Sequence, residues 1–152
     1  QWAERVDGPK KVDPDNPCGL TVAVQRTTVS ETDDVRPKKD ACNGDLTVLS
    51  YDTGDNAALA VLMGRADALS ADSPVTAWAV NRSEGKMRQV GDMFQASPYG
   101  FAVSKDSDLG KASAAALQHL IETGEYAEIL SRWGIEDGLI DQAMINERPI
   151  NG

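Results

Sequence analysis

The chain has 152 residues, of which 41% are hydrophobic and 26% are charged, and its formal net charge at pH 7 is −9. This length and composition are typical of one compact globular domain with a sizeable core. The acidic balance argues against a surface for nucleic acid, because such a surface needs clustered Lys and Arg side chains. No apolar run approaches the roughly 20 residues of a membrane-spanning helix.

Few residues of the chain are typical metal ligands. Its two cysteines, Cys18 and Cys42, lie outside any CxxC motif, and His119 is the only histidine. We therefore expect no metal site and no cofactor. The two cysteines flank a strand and a polar loop, which leaves two interpretations. They are either a pair of buried free thiols or, as we favour, one disulfide, which indicates an oxidising compartment.

The first third of the chain predicts two strands and a helix. Residues 2–6 are expected to form an edge strand in an otherwise irregular segment, and the β-branched run over residues 20–25 predicts a buried strand. Thr28 and Glu31 match the S/T-x-x-E capping box, so we expect a helix to begin at Thr28. Pro37 is expected to end that helix, because proline disfavours the helical conformation in the residue before it.

Strands and helices alternate through the middle of the chain. The predicted elements are, in order, a strand over 46–51, a helix over 57–63, a strand over 66–71, a helix over 74–82 and a strand over 87–93. Asp72 and Pro74 fit the N-cap and the first position of the second helix. This alternation predicts the α/β class with a largely parallel sheet.

The C-terminal third predicts one short strand and two helices. The strand is expected over residues 101–104. A long helix follows a cap at residues 106–108 and ends at Gly124, and a shorter helix is expected over residues 125–133. Apolar residues in the tail over residues 135–152 indicate that it packs against the rest of the chain.

Two polar features follow predicted strands and complement each other. Asp72 stands where the strand over 66–71 gives way to a helix, and Thr28 opens a helix directly after the strand over 20–25. Ligands of α/β sheets bind at the carboxyl ends of the strands, where the start of a helix attracts anions. The hydroxyl groups of Thr28 and Thr27, together with the Asp72 carboxylate, suit a zwitterion, so the predicted ligand is a free α-amino acid. Asp72 alone fits equally well as a simple helix cap.

Five blocks of sequence occur in a characteristic order and spacing. They are LTVAVQRTT from Leu20, AALAVL from Ala57 with GRADA from Gly64, ADSPV from Ala71, YGFAVSK from Tyr99, and the apolar stretch that ends at Trp133. These blocks resemble family 3 of the extracellular solute-binding proteins, the polar amino-acid receptors of ABC importers. The positions of Cys18 and Cys42 resemble the disulfide-bearing members from high-GC Gram-positive bacteria.

The resemblance implies a two-lobed protein that holds its ligand between the lobes. Residues 1–97 would form the second, ligand-closing lobe, a type II periplasmic-binding-protein-like lobe with a mixed, mostly parallel sheet flanked by helices. Residues 98–152 would supply the C-terminal helices that complete the first lobe of a full-length member, and this chain looks like a fragment without most of that lobe. We expect the apolar surface of this segment to dock on the lobe present here or on a second copy, as in a homodimer.

The resemblance also implies roles for the candidate site residues. In the family, the residue matching Thr28 binds the ligand's α-carboxylate, and the residue matching Asp72 binds its α-ammonium group. Arg26 and Thr27, in the same loop as Thr28, complete the predicted ligand-binding set. Family members usually have Gly at the position of Thr27, so a side chain there is expected to narrow the approach to the anion site.

We therefore expect an extracytoplasmic binding protein, without enzymatic activity, that delivers a free amino acid to the permease subunits of an ABC transporter. A lipid anchor on the full-length protein is a further expectation. Two alternatives use the same lobes: a ligand-sensing domain of a receptor, and a cyclohexadienyl dehydratase-like enzyme. An enzyme of that kind needs a general acid or base in the cleft, and only Asp72 and Glu31 are expected nearby.

Overall fold

The computed structural model describes residues 1–149. The chain divides into two compact units, an N-terminal unit, Gln1–Gln95, and a C-terminal unit that begins at Ala96. Each unit has its own secondary structure and is described by itself.

The N-terminal unit alternates strands and helices, as the sequence predicts. Its elements are, in chain order, β1 (Trp2–Arg5), β2 (Thr21–Gln25), a π-helix (Ser30–Val35), α1 (Arg36–Ala41), β3 (Thr47–Tyr51), α2 (Gly54–Leu62), β4 (Ala68–Ser70), α3 (Ser73–Arg82) and β5 (Met87–Val90). The strands form one sheet in the order β3-β2-β4-β1-β5. Strand β2 is parallel to both β3 and β4, whereas β1 is antiparallel to β4 and β5. The carboxyl ends of β2 and β4 therefore lie side by side at one edge of a mixed sheet.

Strand β1 lies inside the sheet, which corrects the prediction of an edge strand over residues 2–6. It pairs with β4 on one side and β5 on the other, and both Trp2 and Ala3 have no exposed surface. Consecutive residues of a strand point to opposite faces of the sheet. Trp2 and Ala3 are both apolar because each packs in an apolar cluster on its own face of the sheet. The polar residues that follow in the sequence gave no sign of this burial.

Apolar side chains cover the two faces of the sheet as two separate clusters. Ala23 packs with the alanines of α2 and with Ala3, whereas Val22 and Val24 pack on the other side with Trp2. This alternation along β2 follows from the period of two in a strand. The sheet therefore has an apolar layer on each face, as expected for strands with helical crossover connections.

The helix after β2 continues past Pro37, contrary to the prediction from sequence. The π-helix runs directly into α1, and Pro37 occupies the first turn of α1. Arg36, the residue before the proline, keeps helical backbone angles, with φ of −64° and ψ of −46°, so the proline disfavours the helical conformation there without preventing it. The segment ends at Cys42, which forms a disulfide with Cys18, with their Cα atoms 5.4 Å apart. The favoured interpretation of the two cysteines is thereby confirmed.

The C-terminal unit is helical. Its described elements are α4 (Leu109–Thr123), α5 (Glu125–Arg132), a 3₁₀-helix (Glu136–Gly138) and a hairpin of β6 (Met144–Ile145) and β7 (Arg148–Pro149). Gly124 separates the two α-helices in the left-handed conformation, with φ of +82°, which glycine adopts without steric cost. In the tail, Ala143 is fully buried and its N–H donates to Gln118 Oε1 at 2.9 Å.

The predicted strand over residues 101–104 does not form. These residues are irregular, and the side chain of Phe101 is 84% exposed. A strand is stable only when its backbone groups pair with a neighbouring strand, and no strand pairs with these residues within the described part of the chain. In α4, Ala114 is buried, and Leu117, Leu120 and Ile121 are half-buried. Across residues 1–149, no helix has both the length and the apolar character needed to cross a membrane.

Candidate functional site

A small cavity opens at the carboxyl ends of β2 and β4. Its volume is about 60 Å³. The residues that line it are Gln25, Thr28, Ser30, Gly54, Leu69, Ser70, Ala71, Asp72 and Val75. Thr28 and Asp72, which the sequence places after two different strands, therefore meet at one cavity.

Thr28 stands at the turn between β2 and the π-helix. Its carbonyl oxygen accepts hydrogen bonds from the amides of Glu31 and Thr32, both at 3.0 Å. Its hydroxyl group donates to the carbonyl of Gln25 at 2.7 Å, so that hydroxyl must rotate before it can donate to a ligand. The first amides of a helix generally have no partner inside the helix, and such amides attract anions.

Thr27 and Arg26 are turned to partners within the protein and do not line the cavity. Thr27 has a φ of +60°, its amide donates to Glu31 Oε2 at 2.6 Å, and its hydroxyl donates to the Arg26 carbonyl at 2.6 Å. Arg26 Nε lies 3.1 Å from Asp52 Oδ1 on the surface. Thr27 therefore occupies a left-handed backbone position, where threonine is disfavoured.

Glu31 is buried beneath the Thr27–Thr28 turn, with 3% of its surface exposed. Its carboxylate accepts hydrogen bonds from Ser50 Oγ at 2.6 Å, from the Thr27 amide at 2.6 Å and from Arg36 Nη2 at 2.8 Å. The bond from Ser50 and then the bond from Thr27 lower the pKa of Glu31 below its ordinary value of 4.5. The predicted capping box does not form: Glu31 reaches the amide of Thr27, not that of Thr28, and the Thr28 hydroxyl donates to the Gln25 carbonyl instead of accepting the Glu31 amide.

Asp72 occupies the N-cap position of α3, but its side chain makes no capping hydrogen bond. Its carbonyl oxygen accepts the first helical bond, from the amide of Thr76 at 2.9 Å. Asp72 is exposed and lines the same cavity as Thr28. The geometry therefore does not support the simple alternative that Asp72 serves only as a cap.

Sequence reasoning missed several residues of the cavity. Gln25 and Ser70 are the last residues of β2 and β4, and Gly54 begins α2. A side chain at Gly54 would meet Val75 Cγ1 at 3.3 Å and Gln25 Oε1 at 3.5 Å, so glycine keeps this wall open. Gln25 and Ser70 could have been predicted as site residues, because each is a polar residue at the carboxyl end of a parallel strand.

Three other polar or aromatic residues lie away from this cavity. Asp67 accepts hydrogen bonds from the Thr21 amide at 2.8 Å and from Lys10 Nζ at 2.9 Å. Trp78 is 40% exposed on α3 and does not line the cavity. His119 is exposed on α4. Among residues 1–149, no group of three or more His, Cys, Asp or Glu residues is placed to hold a metal ion.

Comparison with known proteins gives relatives that are named for binding amino acids. No model of a protein family matches the chain. The chain is 59% identical over 155 residues to the arginine-binding protein ArgT of Corynebacterium glutamicum, and the match covers 99% of this chain and 51% of ArgT. The chain thus spans about half the length of this curated relative.

Solved structures give the same result. An ancestral arginine-binding protein bound to arginine superposes with a TM-score of 0.66 and 25% identity, covering 87% of this chain and 58% of that protein. An ancestral cationic amino acid solute-binding protein superposes with a TM-score of 0.67 and 26% identity, covering 87% and 56%. The predicted fold, a type II periplasmic-binding-protein-like lobe with a mixed sheet, is confirmed. The chain spans between 51% and 58% of the length of the relatives compared. These relatives also confirm the resemblance to family 3 of the extracellular solute-binding proteins.

Proposed function

We propose that this chain binds a free α-amino acid as part of the solute receptor of an ABC importer. The observation that carries the proposal is the cavity shared by Thr28 and Asp72 at the carboxyl ends of two parallel strands. The helix start at Thr28 would receive the α-carboxylate, and the Asp72 carboxylate would receive the α-ammonium group. Arg26 and Thr27 support that turn and do not contact the ligand in this proposal.

Arginine is the first ligand to test. ArgT is named as an arginine-binding protein, and the two structural relatives are named for arginine and for cationic amino acids. The cavity is small, with a volume of about 60 Å³. We therefore expect millimolar affinity from this chain, because the remainder of a ligand's surface would stay in water.

In the whole protein, residues 1–97 would serve as the ligand-closing lobe, and residues 98–152 would complete the other lobe. Closure around the ligand would be the signal that permease subunits recognise. The Cys18–Cys42 disulfide supports an extracytoplasmic location, since disulfides persist in oxidising compartments. A homodimer through the C-terminal segment stays a prediction, which sedimentation velocity tests.

The proposed role is binding without catalysis. A dehydratase on this fold would need a carboxyl group that exchanges protons near neutral pH. Glu31 is unsuited to that task, because it is buried, accepts three hydrogen bonds and has a lowered pKa. Nothing in the described residues favours a sensor domain over a transport receptor.

The proposal is tested by titrating the ¹⁵N-labelled chain with L-arginine and following its amide resonances. We expect saturable shifts at Thr28, Ser70 and Asp72. Asp72→Asn should weaken binding by about tenfold or more, since a hydrogen bond to a charged group contributes about 1.5–3 kcal/mol. Asp55→Asn is the matched control, because Asp55 is 79% exposed and does not line the cavity.

Two results would contradict the proposal. The first is the absence of any saturable shift with L-arginine or with the other free amino acids. The second is binding that is equally tight to Asp72→Asn and to the unaltered chain. Agmatine, which lacks the carboxylate, tests the anion side, and it should bind more weakly than arginine.

A further inference from the structure

The π-helix beside the cavity carries a buried carboxylate that faces away from solvent. Glu31 lies in its first turn, is 3% exposed and does not line the cavity. π-helical segments are rare and often accompany functional sites. The Glu31 carboxylate lies beside the turn that contains Thr28, and its hydrogen bonds show which parts of the chain it connects.

Glu31 joins the turn at Thr27 to two other elements. Its Oε2 atom accepts the Thr27 amide at 2.6 Å, and its Oε1 atom accepts Ser50 Oγ on β3 at 2.6 Å. Arg36, at the start of α1, donates to the same Oε1 atom at 2.8 Å. The turn is therefore tied through one side chain to both the sheet and the helix.

Thr27 needs such a tie because its backbone is in an unfavourable conformation. Its φ of +60° lies in the left-handed region, which β-branched residues rarely adopt. Such a conformation persists only where surrounding contacts hold it. The bond from the Thr27 amide to Glu31 is one of these contacts, and the next residue, Thr28, lines the cavity.

We propose that Glu31 is a positioning residue for the anion side of the cavity: it holds the Thr27–Thr28 turn in the conformation that receives a ligand's carboxylate. This inference rests on the proposed function. Glu31 acts through the turn and does not touch the ligand. Its negative charge is compensated by Arg36 at 2.8 Å, so it does not repel an anion at the neighbouring helix start.

The test compares two buried glutamates with similar partners. Glu4 is 6% exposed, accepts the Val12 amide at 3.3 Å and pairs with Arg88 at 2.7 Å, but it does not line the cavity or contact its turn. Glu31→Ala and Glu4→Ala are each measured for urea stability, for the hydrogen exchange rate of the Thr27 amide, and for L-arginine affinity by amide shifts. Glu4→Ala thus reports the effect of losing a buried carboxylate that has no role at the site.

We expect Glu31→Ala to weaken arginine binding by about tenfold, or about 1.4 kcal/mol, which is near the lower bound for a hydrogen bond to a charged group. The Thr27 amide should exchange faster in that variant. Glu4→Ala should change the arginine affinity and the exchange rate of the Thr27 amide by less than about twofold each. Glu31→Gln keeps an acceptor for the Thr27 amide and should restore most of the affinity. If Glu31→Ala does not fold, Ser50→Ala loosens the same carboxylate and should move both readouts in the same direction by a smaller amount.

The outcomes separate this inference from the proposed function. If the unaltered chain binds arginine and Glu31→Ala binds it equally well, the positioning role is overturned alone. Equal losses of affinity in Glu31→Ala and Glu4→Ala also overturn it, because they indicate a general effect of destabilisation. If the unaltered chain binds no amino acid, the proposed function fails and this inference fails with it.

Discussion

Asp34 connects the π-helix to two strands of the sheet, and its removal gives the sharpest test of how the N-terminal unit is held together. The residue is 5% exposed. Its carboxylate accepts hydrogen bonds from Trp2 Nε1 at 2.6 Å, from Ser70 Oγ at 2.7 Å and from Lys38 Nζ at 2.5 Å. Trp2 belongs to β1 and Ser70 to β4, so one side chain unites parts of the chain that are far apart in sequence.

The cost of Asp34→Ala follows from these partners. Removing one partner of a buried ion pair costs about 3–5 kcal/mol, but the Lys38 side chain is 26% exposed, so water can solvate its ammonium group. The indole N–H of Trp2, which has no exposed surface, loses its acceptor, and a buried unpaired donor costs about 1–3 kcal/mol. Because these two contributions overlap, we expect a loss near the lower bound for a broken buried pair, about 3 kcal/mol.

Urea denaturation at neutral pH, followed by far-ultraviolet circular dichroism, measures this loss. Asp33→Ala is the matched control, since Asp33 is the exposed neighbour of Asp34 on the same helix. Surface substitutions of this kind usually change stability by no more than about 0.5 kcal/mol. A loss below about 1 kcal/mol for Asp34→Ala, or an equal loss in the control, would refute the reasoning. Either result would mean that the hydrogen bonds to Asp34 do not stabilise the fold as a buried ion pair does.

Three further predictions concern stability. Replacing Cys18 and Cys42 together by serine should cost about 3.5 kcal/mol in urea unfolding, from the loop entropy for their sequence separation of 24; no change would contradict a structural role for the disulfide. The lowered pKa of Glu31 stabilises the folded state above the ordinary value of 4.5, and this contribution should be lost as the pH falls through the lower folded-state pKa. Unfolding measured across that range should show a smaller pH dependence in Glu31→Gln. Thr27→Gly should raise stability by up to about 1 kcal/mol, because the relief of a left-handed threonine outweighs the flexibility of glycine in the unfolded chain, and a clear destabilisation would contradict this.

Local sequence patterns were sufficient for most elements of the N-terminal unit. The β-branched run before Arg26 forms β2 (Thr21–Gln25), and Thr53 caps α2 by accepting the Asn56 amide at 3.2 Å. The position of Asp72 between a strand and a helix was also correct. These features depend on residues within a few positions of one another, so their physical causes are visible in the sequence.

Other features depended on residues that the sequence does not place together. Residues 101–104 have the composition of a strand but no neighbouring strand within the described chain, so the pattern alone was misleading. The partners of Glu31 come from a turn, a strand and a helix. Nothing in its local sequence distinguishes this buried acceptor from a glutamate of an ordinary capping box.

The sequence by itself determined the alternation of strands and helices and the positions of Thr28 and Asp72 as polar residues at two strand ends, and it favoured a disulfide between the two cysteines without deciding it. Only the tertiary structure decided that β1 lies inside the sheet, that β2 and β4 are neighbours, and that Thr28 and Asp72 share one cavity. The physical reason is the range of the interactions. Caps and strand propensities act between near neighbours, whereas the order of strands is set by the burial of both sheet faces and by long-range hydrogen bonds such as that from Trp2 to Asp34.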